Sequence, residues 1–193
     1  MIRRDKMQRI YIICITFTQI INCQGEICMK ELPVRKSIRL KGYDYSQAGY
    51  YFITGCVKNR HEILGSIVGS GFHARPQVEL TDIGIEIQKS IEYVRNNDEN
   101  VEIPKYVIMP NHIHLIVVLT AVGHGSPTLQ SVVGRIKSYT TKQWNEMCNT
   151  KYKTFWQDSF HDHIIRDDAD YLLHLQYIEN NPSKWAEDRY YVQ

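Results

Sequence analysis

The sequence predicts an α+β domain in which an antiparallel sheet carries helices on one face. Three observations predict it: an aromatic and β-branched run at 50–57, a hairpin pattern over 101–120, and amphipathic stretches of helical period between the strand-like segments. The 193 residues amount to about one domain, since domains run roughly 100–200 residues. A hydrophobic fraction of 43% and a charged fraction of 23% exclude a disordered tail, a collagen-like chain and a coiled coil. A net charge of +2 gives no global electrostatic case for nucleic acid, so any such case rests on local clusters. Five Cys without a Cys-x-x-Cys pair argue against a disulfide framework or a structural zinc site, and fit reduced thiols in a cytoplasm.

Residues 1–29 differ from the rest. A basic start and an apolar stretch from Ile10 to Ile21 resemble a secretory signal, but Asn22, Cys23 and Gln24 lack small-x-small cleavage chemistry. The preferred reading is a start at Met29, with the upstream residues a spurious or disordered extension and 30–193 a single domain.

The elements then follow in order. Arg35, Lys36, Arg39 and Lys41 form a basic arm before a Tyr-rich turn, Gly42 to Gly49. Tyr50 to Val57 reads as a strand. Asn59 to Pro76, with Gly65, Gly69 and Gly71, reads as a loop with room for a short strand. Thr81 or Asp82 caps a helix whose Ile83, Ile87, Ile91 and Val94 keep helical spacing to about Arg95. Val101 to Met109 and His112 to Thr120 are strands joined at a Pro110-Asn111 turn. Leu129, Val132, Val133, Ile136 and Trp144 recur at helical intervals over Thr128 to Met147. A short strand spans Asp162 to Arg166. A last helix runs from Asp168 to Asn181, with acidic residues at its start and Pro182 stopping it. The order strand, helix, strand, strand, helix, strand, helix is that of a split βαβ, ferredoxin-like or RRM-like unit with an added C-terminal helix.

Three places carry candidate chemistry. His112 and His114 stand at i and i+2 of a strand, so both imidazoles leave the same face. They are either a metal-binding pair or ordinary polar residues of a solvated sheet face, and the residue types alone leave both readings open. Tyr177 and Asn181 stand at i and i+4 on one helix face, where a phenol and a carboxamide can reach one point. Arg35, Lys36, Arg39 and Lys41, with Arg135, Lys137 and Lys142, are candidate phosphate contacts, and Tyr43, Tyr45 and Trp144 are candidate base-stacking rings. A second His-x-His, His161-Asp162-His163, has a charged centre and reads as surface or DNA-proximal.

The residues Gly42-Tyr43-Asp44-Tyr45-Ser46, Met109-Pro110-Asn111-His112-Ile113-His114, Trp156-Gln157, His163 to Arg166, and Gln176-Tyr177-Ile178-Glu179-Asn180-Asn181-Pro182 with Trp185 together resemble the HUH-type single-tyrosine transposases, specifically the REP-associated group. The resemblance covers about Val34 to Trp185. It implies that His112 and His114 bind a divalent metal, Mg²⁺ or Mn²⁺, that Tyr177 is the nucleophile, and that the third ligand falls on Asn181. It implies a metal-assisted attack of the tyrosine on single-stranded hairpin DNA, giving a 5′-phosphotyrosine and a free 3′-hydroxyl. Relatives in this class work as monomers or as homodimers, in the cytoplasm and without a membrane. The competing reading is a catalytically inactive, domesticated relative that only binds hairpin DNA.

Overall fold

The computed structural model describes residues 42–69, 75–120 and 127–191. The extension at 1–29 and the basic arm with Arg35, Lys36, Arg39 and Lys41 lie outside the described residues. The described residues form six strands: β1 (Gly49–Cys56), β2 (Gly65–Val68), β3 (Gln77–Leu80), β4 (Val101–Ile108), β5 (His112–Leu119) and β6 (His161–Ile165). Three helices join them: α1 (Asp82–Asn97), α2 (Leu129–Met147) and α3 (Asp168–Asn180).

The main sheet has the order β4-β5-β1-β6, and all its neighbours pair antiparallel. Each helical crossover therefore spans an intervening strand: β1–α1–β4 passes β5, and β5–α2–β6 passes β1. This is the expected split βαβ arrangement. Pro104 lies in β4, an edge strand that a missing N–H can occupy, and the register breaks there between Glu102 and Lys105.

Side-chain alternation divides the sheet into two buried faces. Tyr51, Ile53, Ile113, Leu115 and Val117 face α1 and α2, meeting Ile87, Ile91, Val132 and Ile136 in the main core. Full burial of one such Ile contributes about 1.5–3 kcal/mol. Thr81 and Thr128 cap these helices by accepting from the Gly84 and Ser131 amides. Gly84 is there because a Cβ would stand 2.1 Å from the Leu64 carbonyl oxygen, so only glycine allows that approach.

The expected one-sided covering holds for α1 and α2, while α3 lies across the opposite face. There Phe52, Ile116, Ile165 and Ile178 form a smaller cluster with Tyr171 and Leu175. Ile178 is the one buried residue of α3. Asp167 caps the helix through the Asp170 amide, and Lys105 pairs with Glu179 at 2.8 Å to tie it to the sheet edge. Because both faces are covered, all eight residues of β5 are buried. The region read as loop holds β2, which pairs with β3 as a separate two-stranded sheet. Strands of four residues leave little pattern in the sequence, even though Gln77-Val78-Glu79-Leu80 alternates.

Candidate active site

The site grows from the β4–β5 turn. The Met109 amide donates to the His112 carbonyl across the Pro110-Asn111 turn, so β5 begins at His112. His112 and His114 then project to the α3 side, their rings 4.5 Å apart. They are 0% and 1% exposed, which removes the reading of a solvated sheet face.

The hydrogen bonds around them set the tautomers. Asn111 donates through its amide nitrogen to the carbonyls of Tyr190 (2.8 Å) and Arg60 (3.2 Å), which turns its Oδ1 toward His112 Nδ1 at 2.8 Å. An amide oxygen only accepts, so His112 carries its proton on Nδ1. His114 Nδ1 lies 2.9 Å from the hydroxyl of Thr54, its direct cross-strand neighbour, and that hydroxyl also hydrogen-bonds the Tyr190 phenol. His112 thus keeps a free lone pair on Nε2, and His114 does so in the tautomer whose Nδ1 donates to the Thr54 hydroxyl. Both Nε2 atoms are buried with no hydrogen-bond partner, as is Asn181 Oδ1. Orphaned buried acceptors are costly, and three in one site fit a cation better than they fit a core. Burial, with His112 and Arg189 nearby, holds His114 well below the ordinary histidine range, and burial pushes His112 down to about 4. The pair is thus neutral and ready to coordinate at neutral pH.

α3 brings Tyr177 against this pair, its ring 5.1 Å from that of His114 and 5.9 Å from that of Phe52. The phenol donates to Asp188 Oδ2 at 3.1 Å, and the Asn181 amide donates to the same oxygen at 2.8 Å. The Tyr190 amide fixes the other Asp188 oxygen at 2.7 Å. Burial, then the Asp188 charge, pushes the Tyr177 phenol up to about 12. His112, His114 and Asp188 present ligand atoms within 4.8 Å of one another, so the carboxylate joins the donor set. Two imidazole nitrogens with an amide and a carboxylate oxygen suit a divalent ion of the Mg²⁺ or Mn²⁺ kind.

Asp188, Asn111 and Thr54 stand in the candidate site, and sequence reading assigns none of them a role there. Asp188 and Tyr190 follow a 3-10 turn, Pro182–Glu187, just past the recognised motif. Asn111 was visible as a turn residue and as part of the motif before His112, with no role of its own, and the place of Thr54 follows only from the β1–β5 register.

Of the candidate phosphate-binding side chains, the described ones, Arg135, Lys137 and Lys142, make their polar contacts elsewhere. Lys137 is partly buried and donates to the carbonyls of Gln157 (2.6 Å) and Ser159 (3.0 Å), which holds the polypeptide before β6. Arg135 pairs with Asp98, and Lys142 lies exposed near Glu146. Tyr43 packs edge-on against Tyr45 and Tyr51. On the site's open side a groove is lined by Gln176, Tyr177, Asn180, Asn181, Lys184 and Arg189.

Fold and site together define a split-βαβ domain that presents a neutral histidine pair to a tyrosine on a C-terminal helix. The family model described as "Transposase IS200 like" matches residues 45–181. The chain belongs to the IS200-like transposase family. It is 36% identical over 140 residues to a REP-associated tyrosine transposase of Escherichia coli (strain K12), covering 72% of this chain and 70% of that protein. A Haemophilus influenzae protein described as uncharacterized is 35% identical over 176 residues, 82% of this chain and 93% of its own length. Among solved structures the chain is similar to a REP-associated tyrosine transposase bound to a REP hairpin, with 28% identity and a TM-score of 0.53 over 76% of this chain and 74% of that one. Among the described residues no helix is long and apolar enough to cross a membrane.

Proposed function

We propose that the protein cleaves and rejoins single-stranded DNA carrying a hairpin, with Tyr177 as nucleophile. The observation that supports this most is the convergence of two orphaned imidazole nitrogens and the Tyr177 phenol on one side of β5. His112, His114 and Asn181 would hold a divalent ion, Mg²⁺ or Mn²⁺, with Asp188 beside them. When bound, that ion supplies Lewis-acid polarisation of the scissile phosphate and charge stabilisation of the leaving oxygen.

The chain's own residues do the rest. Asp188 accepts the Tyr177 hydroxyl and is placed to take its proton as the phenol oxygen attacks phosphorus. The new bond joins the Tyr177 oxygen to the 5′-phosphate; the bond broken is that to the 3′-oxygen, which takes a proton from water and leaves as a hydroxyl. The phosphodiester energy stays in the phosphotyrosine, and reversal rejoins a strand. Arg189 contributes positive charge that lowers the phenol pKa against the larger effect of burial. The cationic side chains at 35–41, with Tyr43, Lys142 and Arg135, are proposed to contact the DNA, and Lys137 to support that surface from beneath.

The test is a labelled single-stranded hairpin from the flanks of the source gene, incubated with Mn²⁺ and resolved on a denaturing gel. The expected result is a covalent protein–DNA band that vanishes in Tyr177→Phe and with EDTA. Tight binding without any band would instead support a hairpin-binding relative that no longer cleaves.

A further inference from the structure

The second His-x-His has a use that the transposase site does not absorb. His163 leaves β6 toward α3, paired opposite Phe52 in the sheet register. There it meets Asp170 and His174, which stand one helical turn apart on α3. His163 Nε2 lies 2.8 Å from Asp170 Oδ2, and His174 Nδ1 lies 3.1 Å from Asp170 Oδ1. The two imidazoles stack with ring centroids 4.6 Å apart. One ligand atom from each of the three residues lies within 4.8 Å of the others. Phe52 separates this group from the first site, contacting His174 at 4.4 Å and His114 at 5.1 Å between ring centroids.

We infer that His163, Asp170 and His174 form a second metal site, for a borderline transition ion of the Zn²⁺ class, which fastens α3 to β6. Two imidazoles and one carboxylate are a donor set that such ions accept, and they leave a fourth position for water. In a tetrahedral site with bonds of about 2.0–2.1 Å the ligand atoms stand ~3.3 Å apart; His163 Nε2 and His174 Nδ1 each lie 3.1 Å from Asp170 Oδ1, and an ion would turn the stacked rings toward it and replace the contact of 2.9 Å that His174 Nδ1 makes to the Asp170 carbonyl. His163 is about half exposed, which gives an ion a path in. The site is also mechanically placed. α3 buries only Ile178, so a cross-link from β6 adds to a weakly anchored helix. His174 lies three residues before Tyr177, and the consequence for the nucleophile rests on the function proposed above.

The experiment measures zinc retained after equilibrium dialysis against micromolar ZnCl₂, by elemental mass spectrometry. The proteins are wild type, His112→Asn/His114→Asn, His163→Ala/His174→Ala, and the quadruple variant. The expected result is one zinc ion per chain in His112→Asn/His114→Asn and none in the quadruple variant. Wild type should exceed His163→Ala/His174→Ala by one ion whether or not the first site takes zinc, which separates failure of this site from failure of the other. In His112→Asn/His114→Asn, zinc should slow hydrogen exchange of α3 amides by about tenfold, and His163→Ala should remove that effect. If the buried pair cannot be replaced without unfolding, the comparison of wild type with His163→Ala/His174→Ala decides. Equal zinc in those two proteins, or zinc that survives in the quadruple variant, overturns the inference.

Discussion

Acid should destabilise the metal-free protein through its buried histidine pair, and the size of the effect follows from the structure. His112 is fully buried and its pKa is pushed down to about 4, against an ordinary value of 6.5 in the unfolded chain. A depressed histidine costs almost nothing well above pH 6.5, where both states are neutral. Stability is lost as pH falls from 6.5 toward 4, because the unfolded chain binds a proton that the folded one refuses. At pH 5 the unfolded imidazole is almost wholly protonated and the folded one about one-tenth so, which is a loss of about 2 kcal/mol. His114 acts in the same direction. The assay is urea unfolding of EDTA-treated protein at pH 7 and pH 5, comparing wild type with His112→Gln/His114→Gln. With a urea dependence of about 2 kcal/mol per molar, the wild-type midpoint should fall by about 1 M more than that of the variant. Carboxylates and the other histidines titrate in both proteins and cancel in the difference. Equal shifts would refute the reasoning, since the pair would then be either hydrated or already charged in the folded state.

The residues around the pair give three more tests. Asn111→Leu removes the acceptor that fixes the His112 tautomer, so Mn²⁺ affinity should drop about 10–100-fold by titration calorimetry; unchanged affinity would mean that the tautomer is set elsewhere. Asp188→Asn removes the anion beside Tyr177, and the phenol pKa should move down from about 12 without reaching 10, because burial is the larger cause; a ¹³Cζ-tyrosine NMR titration reads the shift, and an upward move would contradict it. Gly84→Ala forces a methyl to within 2.1 Å of the Leu64 carbonyl, so thermal unfolding should report a loss of about 1–3 kcal/mol, and a neutral result would show that the 64–65 segment yields freely.

Where local chemistry decides the structure, the sequence was a sufficient guide. The Thr81 cap, the Pro110-Asn111 turn and the apolar spacing of α1 are set within a few residues, and each falls where its own pattern puts it. The placement of His112 and His114 on one strand face was legible for the same reason. Their burial was not, because it depends on α3, whose apolar residues are spread around the helix, with Leu172 and Leu173 exposed and only Ile178 buried, so that no single apolar face marks the side it packs. Thr54 supports His114 because β1 and β5 pair in the register Thr54 to His114, sixty residues apart in the chain, a relation that no local pattern encodes. Asp188 was invisible for a related cause: an acidic residue in a C-terminal turn is ordinary until a tyrosine and an asparagine donate to the same oxygen.

The two-sided burial of β5 also fixes the direction from which chemistry can reach the site. One side of the strand is main core, where Ile113 and Leu115 meet α1 and α2. A phosphate approaching the Nε2 atoms must therefore come from the α3 side, past Tyr177, Asp188 and Tyr190, whose ring lies 4.5 Å from that of His112. That side is the less secured one. α3 buries a single residue, whereas the opposite face is closed by two long helices. Segments that open locally are drawn from regions with few buried apolar contacts. That scarcity of buried contacts leaves the tyrosine helix and the turn after it as the part of the fold best able to admit a strand, while the histidine pair stays fixed on the most buried strand of the sheet.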